Sequence, residues 1–365
     1  MKTYYVHGWH GNLNAGDDAF AIVVNWGLQK YCHAESMVLE ADKSGTLTEK
    51  YGIKTVQISG ITIPGLSRLR RSYYLSRSKH FILAGGSLFN EGSVHSILST
   101  PYFSSHKPLA LGVSVGPFKS NDHEDKVIEL MNRMLYVGFR DDYSYNWAIS
   151  RNISCPFSRS FDLAALMPFV PQKNTSIVPG KKKIGIVPLA FHVLTEKTVS
   201  TDLTYIKKFA EHTYEISKEY DADIELYALC TNPNYDDRLV CQAFLDAIPT
   251  ADNIHIYRHN GDAIETFNAL KRCTHVVSMR LHGSVFAYAN QLPLLILSYH
   301  QKCRDFADTI GLKNDFFLDL RDFDFESYQT SLAKFLTTQV LDATLSLQSA
   351  QDRALENFRS YEIWQ

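Results

Sequence analysis

The sequence predicts an α/β protein built from two Rossmann-like domains with parallel sheets. Three observations carry this. Short apolar runs, among them Phe81–Ala84, Leu109–Val115 and Ile184–Leu189, alternate with segments of helical periodicity, the pattern of strand–helix–strand units in a parallel sheet. The alternation breaks once, at the polar stretch VPQKNTSIVPGKKK (Val170–Lys183), and then restarts. The 365 residues are enough for two domains and a large core. The expected division is a first domain over 1–169, a linker over 170–183, a second domain over 184–320, and a helical segment over 321–365 that has the length to cross back onto the first domain.

In chain order, Tyr4–Val6 reads as the first strand. A glycine-rich loop, Gly8–Asp18, follows it and leads to a helix over Ala19–Lys30. A Gly-rich turn between strand and helix suits close approach of backbone to a ligand. It is neither a dinucleotide fingerprint nor a P-loop. Asn14, Gly16 and Asp17 stand out there, with Asp17 and Asp18 read either as helix caps or as carboxylates that hold a hydroxyl. Thr55–Ile58 is a strand. Arg68, Arg70, Arg71, Arg77 and Lys79 then form a cationic cluster with Tyr73, Tyr74 and Leu75, read as a solvated helical face or a contact for an anionic partner. Gly85 and Gly86 end the buried FILA strand. Helix Asp125–Leu135 and strand Tyr136–Phe139 lead to Arg140-Asp141, either a structural lock or part of a ligand cleft.

In the second half, strands at Ile184–Leu189, Ile224–Leu229 and Ile254–Tyr257 alternate with helices at Thr204–Lys218, Asp236–Ala247 and Asp262–Leu270. HVVSMRLHGSVFAYANQLPLLILSYHQK (His275–Lys302) then supplies a strand ending at Ser278, a helix from about His282, and a strand over Leu294–Leu297. Arg280 and His282 fall where that strand gives way to the helix, the edge at which open α/β sheets bind ligands. A helix N-terminus with Arg and His beside it predicts an anion site. Equally compatible are a salt bridge for Arg280 and a helix cap for His282. Tyr299 and Lys302 follow the next strand. Phe325–Ala343 and Gln348–Tyr361 read as helical.

Composition bounds the function. A net charge of −2 gives no argument for nucleic acid. The six scattered cysteines lack metal-ligand spacing and read as free thiols of a reducing compartment. No signal peptide, transmembrane run, metal motif or nucleophile elbow is visible. The expectation is a cytoplasmic enzyme without resident cofactor or metal, with the inner face of the plasma membrane, peripheral membrane contact and oligomerisation left open.

Taken together, the motifs resemble the polysaccharide pyruvyl transferase family. The resemblance rests on Asn14-Ala15-Gly16-Asp17, AGGSLF (Ala84–Phe89), LALGVSVGP (Leu109–Pro117), Arg140-Asp141 with Ser144, Asp162–Ala164, and MRLHGSVFAYANQLPLLILSYHQK. It covers most of the chain. It implies a GT-B-like fold with sheets facing a central cleft. It also implies transfer of pyruvate from phosphoenolpyruvate to two hydroxyls of a sugar as a cyclic ketal, in exopolysaccharide or cell-wall synthesis. Partners would be phosphoenolpyruvate and a sugar or oligosaccharide acceptor, free or lipid-linked. Arg280, Lys302 and Tyr299 would hold phosphoenolpyruvate, His282 would be the general acid and Asp17 the base, with Asn14, Gly16, Gly85, Gly86 and Arg140 lining the substrate. The rival expectations are a nucleotide-sugar-dependent GT-B glycosyltransferase and a non-catalytic glycan-binding protein on the same fold.

Overall fold

Strands that are apolar on both faces are stable only inside a sheet covered by helices on both sides. The computed structural model describes residues 3–43, 45–58, 65–89, 107–172, 180–189, 199–233, 236–248, 253–298, 300–321 and 324–360. It contains two such sheets, each in its own unit.

The first unit comprises residues 1–12, 17–170 and 348–365. Its strands are β1 (Thr3–His10), β2 (Ser36–Ala41), β3 (Lys54–Val56), β4 (His80–Phe89), β5 (Leu109–Val115), β6 (Tyr136–Phe139) and β7 (Phe157–Arg159). All pair in parallel, in the order β3-β2-β1-β4-β5-β6-β7. The connecting helices are α1 (Ala15–Cys32), α2 (Gly45–Glu49), α3 (Leu66–Leu75), α4 (Asn121–Asn132) and α5 (Asp142–Ser150). β5 is buried at every position, as LALGVSV requires. β1 runs on to His10 and α1 begins at Ala15, so the expected glycine loop is shorter than Gly8–Asp18.

The second unit comprises residues 13–16 and 171–347. Strands β8 (Lys183–Val187), β9 (Asp223–Ala228), β10 (Ile254–Arg258), β11 (His275–Ser278), β12 (Leu294–Ser298) and β13 (Phe317–Asp319) form a parallel sheet in the order β10-β9-β8-β11-β12-β13. Helices α6 (Val199–Glu219), α7 (Asp237–Asp246), α8 (Ala263–Leu270), α9 (Leu281–Ala289), α10 (Gln301–Ile310) and α11 (Phe325–Phe335) link and flank the strands. α9 is buried on nearly every side, as an all-apolar helix should be.

The last helix, α12 (Leu347–Arg359), packs within the first unit, so the C-terminal segment does cross back. Gly27 on α1 makes room for it, because a Cβ there would lie 2.6 Å from the Phe358 ring. Asn357 is fully buried. Its Oδ1 accepts from the Gly112 N–H at 3.3 Å, and its Nδ2 donates to the Ala354 carbonyl at 2.8 Å and to Ser160 Oγ. Buried donors left without partners cost about 1–3 kcal/mol. Asn357→Ala is expected to lower the stability of the first unit by about that amount, read as a shift of the urea midpoint at constant slope.

A second buried network lies at the carboxyl ends of β1 and β2. Glu40 accepts a two-pronged contact from Arg71, with Nε–Oε2 at 3.1 Å and Nη2–Oε1 at 2.6 Å. Tyr5 Oη donates to the same carboxylate at 2.9 Å, and His7 Nδ1 lies 3.1 Å from it. Burial would raise the Glu40 pKa, but His7 and then Arg71 outweigh it and hold the carboxyl down to about 2, from an ordinary 4.5. The folded value lies below the unfolded one. The stabilisation is therefore complete above pH 4.5 and is lost as the pH falls toward 2. Glu40→Gln is expected to cost about 3 kcal/mol at neutral pH. The gap from the unsubstituted protein should close as the pH drops, measured by urea unfolding at a series of pH values.

Among the described residues, no helix is long and apolar enough to cross a membrane.

Candidate functional site

In the second sheet the chain builds outward from β8 in one direction through β9 and β10, and in the other through β11, β12 and β13. The reversal point between β8 and β11 leaves a gap between loops at the carboxyl ends of the strands, which is where open α/β sheets take ligands. The turn from β11 into α9 lies at that point and carries Arg280 and His282.

This turn is tightly fixed. The Met279 N–H donates to the Val187 carbonyl at 2.9 Å, tying the turn to β8. Arg280 is the N-cap of α9 with extended backbone, and its side chain makes no cap hydrogen bond. Its carbonyl accepts from Ser278 Oγ at 2.7 Å and from the Ser284 N–H at 3.2 Å. Gly283 lets α9 sit close to the sheet, since a Cβ there would meet Val187 and overlap Ser278 Oγ. The first-turn N–H groups of α9 thus point outward at the strand ends with the positive end of the helix dipole.

The Arg280 guanidinium is mostly buried and pairs with Asp237 Oδ1. Asp237 opens α7, is 1% exposed, and takes the Cys230 N–H on its other oxygen at 2.9 Å. Burial pushes the Asp237 carboxyl up to about 6, with the Arg280 charge opposing it. Around the same strand ends, segment 13–16 joins the second unit. The Ala15 N–H donates to the Leu229 carbonyl at 3.0 Å, and the Thr231 N–H to Leu13 at 2.9 Å, so that Asn14 bridges Cys230. Asn14 Oδ1 accepts from the Gly16 N–H at 3.2 Å. Gly16 lies flat against His282, and a Cβ at residue 16 would overlap the imidazole.

Asn14, Gly16, Arg280 and His282 are therefore brought together, linked by Cys230 and Asp237. Asp237 had no local signal beyond a helix-start aspartate. Its partner lies 43 residues away in the chain, a pairing only the fold reveals.

Of the other expected site residues, Asp17, Gly85, Gly86 and Arg140 belong to the first unit. The Asp17 carbonyl lies 3.0 Å from His10 Nδ1. Burial lowers His10 to about 4, so its ring is neutral near pH 7. Gly85 and Gly86 have left-handed backbones (φ 68° and 82°), and the space beside Gly85 is filled by the Phe20 ring. Arg140 is 5% exposed and held by Asp162 at 3.2 Å and by Ser87 and Ser114 at 3.1 Å each. That is the arrangement of a lock inside the first unit. Lys302 starts the next turn but one, its N–H on His300 Nδ1 at 3.2 Å. Burial, and then the Lys302 charge, lower His300 to about 4. Tyr299 lies outside the described residues.

The polysaccharide pyruvyl transferase family model matches residues 14–301. The chain belongs to this family. Among curated proteins, none matches the sequence. Among solved structures, UDP-GlcNAc 2-epimerase from Methanocaldococcus jannaschii is similar at 11% identity and a TM-score of 0.68, over 99% of this chain and 100% of that one. The Neisseria meningitidis UDP-GlcNAc 2-epimerase bound to UDP-GlcNAc is similar at 13% identity and a TM-score of 0.61, over 99% and 100%. A lipopolysaccharide outer core galactosyltransferase, WaaB, is similar at 12% identity and a TM-score of 0.52, over 100% and 99%. Likeness at these identities establishes the fold, the two-domain GT-B-like architecture.

The expected reaction needs correction. Pyruvyl transfer from phosphoenolpyruvate finds no counterpart among these structures, two UDP-GlcNAc 2-epimerases and a galactosyltransferase matched over nearly their whole lengths. Family membership records descent of the sequence; the reaction belongs to the site.

Asp237 gives a test of this geometry. Its folded pKa of about 6 exceeds the ordinary 3.8, so the folded state binds the proton more tightly and loses stability as the pH rises between the two. Asp237→Asn removes that proton. The stability of the unsubstituted protein minus that of the variant is expected to fall by about 3 kcal/mol over this interval, measured by urea unfolding.

Proposed function

We propose that this protein is a nucleotide-sugar-processing GT-B-like enzyme, with the diphosphate of the donor seated at the N-terminus of α9. The observation that carries this is the turn at the β8–β11 reversal. It offers first-turn N–H groups that the N-cap side chain does not cap, with Arg280 pinned on Asp237 and His282 in the first turn of the helix. Backbone N–H groups and the helix dipole favour a pyrophosphate. The Arg280 charge at the same turn adds to that attraction. His282 beside the bound diphosphate is suited to moving a proton at the sugar or at the leaving oxygen. The structural neighbours support this reading, one of them bound to UDP-GlcNAc. A sugar or oligosaccharide acceptor, free or lipid-linked, would meet the donor if the reaction is transfer. We place the enzyme in the cytoplasm, because all six cysteines are buried and unbridged.

Calorimetric titration with UDP, UDP-GlcNAc and phosphoenolpyruvate tests the proposal. Both uridine ligands should bind, and Arg280→Ala should weaken them by about tenfold or more, the loss of a charge-assisted hydrogen bond of roughly 1.5–3 kcal/mol. His282→Ala should retain binding and lose turnover. Binding of phosphoenolpyruvate with no response to either uridine ligand would overturn it.

A further inference from the structure

The cationic cluster that follows β3 is divided by the fold into two parts with different work. Residues 65–80 carry Arg68, Arg70, Arg71, Arg77 and Lys79 and no acidic residue. Arg71 turns inward and is clamped on Glu40. Tyr74 stacks on Tyr5 with ring centres 6.2 Å apart, and Leu75 is fully buried. These contacts fix the rotation of α3. The helix therefore presents its opposite side outward in one defined register.

That outward side is apolar where solvent would favour polar groups. Leu66, Leu69 and Tyr73 are 38%, 68% and 51% exposed. Their spacing of three and four residues aligns them on one stripe. Single exposed apolar side chains are ordinary, whereas a row of them marks an interaction surface. Arg68, Arg70 and Arg77 are exposed beside the stripe, and the Arg77 guanidinium lies 4.0 Å from the Tyr73 ring centre.

We propose that α3 docks this protein on an anionic phospholipid bilayer. Leu66 and Leu69 enter the acyl boundary, Tyr73 sits at headgroup level, and Arg68, Arg70 and Arg77 pair with lipid phosphates. The chemistry of the stripe selects this occupant. Leu66 and Leu69 give bases no stacking platform, so a nucleic acid would use the cations and Tyr73 and leave the aliphatic part of the stripe exposed. A second copy meeting this face through its own α3 would bring two arginine clusters together. A bilayer surface satisfies the apolar and cationic rows at once. Docking through α3 is independent of the nucleotide-sugar reading and stands or falls separately.

The test is flotation of the full chain with phosphatidylcholine vesicles, with and without phosphatidylglycerol, at low and high salt. The protein should float only with the phosphatidylglycerol vesicles and partition less as salt rises. Arg68→Gln with Arg70→Gln should reduce partition by about thirtyfold, near fivefold for each cation. Leu69→Ser with Tyr73→Ser should reduce it at least tenfold at constant charge. These side chains are exposed, so thermal unfolding should be unchanged in both variants, which separates lost docking from lost folding. Equal partition on neutral and anionic vesicles, or none on either, would overturn the proposal. So would a loss confined to the arginine variant, which would reduce the surface to a diffuse charge effect. Self-association abolished by Leu69→Ser with Tyr73→Ser, without vesicle binding, would give the face to a second copy.

Discussion

Each sheet reverses its direction of growth once, between β1 and β4 in the first unit and between β8 and β11 in the second. Crossover connections in parallel sheets keep one hand. Chain leaving on either side of a reversal must therefore go to opposite faces, and the strand ends there stay uncovered. The rest of the molecule follows from that constraint. Segment 13–16, the start of α7 and the start of α9 converge at the second reversal point because no crossover helix can occupy it. At the first, Gly85, Gly86 and Ser87 lie on β4 itself, and the adjacent space is taken up by Phe20 and Arg140.

Three arginines show how position decides what a cation does. Arg71 on α3, and Arg140 and Arg280 just beyond the ends of β6 and β11, are each turned inward on a buried acid: Glu40, Asp162 and Asp237. Removing one member of such a pair strands the other charge out of water, at a cost of about 3–5 kcal/mol. The pairs therefore set side-chain direction more firmly than packing alone would. Arg280 differs from the other two because it is itself the N-cap of a helix and its own side chain leaves that end uncapped. That is why a positioned arginine there is read as part of a binding site.

Much of the architecture was legible because buried parallel strands are short, apolar and bounded by turns. Leu109–Val115 and Tyr136–Phe139 match their strands end to end, and α9 with its flanking strands is where the RLH segment places it. β2 escaped notice because Glu40 interrupts SMVLEA, and that residue is in the strand to meet Arg71. β13 is only three residues long, too short for periodicity to register. α10 begins immediately beyond β12, so its polar first turn reads as a loop. The reaction was harder to read than the fold. MRLHGSVF carries the family resemblance and the turn into α9, but the state of Arg280 depends on Asp237, a residue with no mark of its own in the sequence beyond a helix start. The likeness to UDP-GlcNAc 2-epimerases, at 11–13% identity, lies below anything motif reading can detect.

The return of α12 to the first unit bears on the order in which the chain matures on the ribosome. Residues 348–360 emerge after the whole second unit, yet Asn357 and Phe358 fill positions in the core of the unit made first. Residues 13–16 emerge early and must wait for strands of the second unit made much later. Neither half can finish during its own synthesis. The second unit becomes complete once residue 347 is free, and the first closes only when residues 348–360 have followed it out. Until then the surface around Gly27 and Gly112 stays uncovered, a stretch of nascent apolar chain of the kind that chaperones shield.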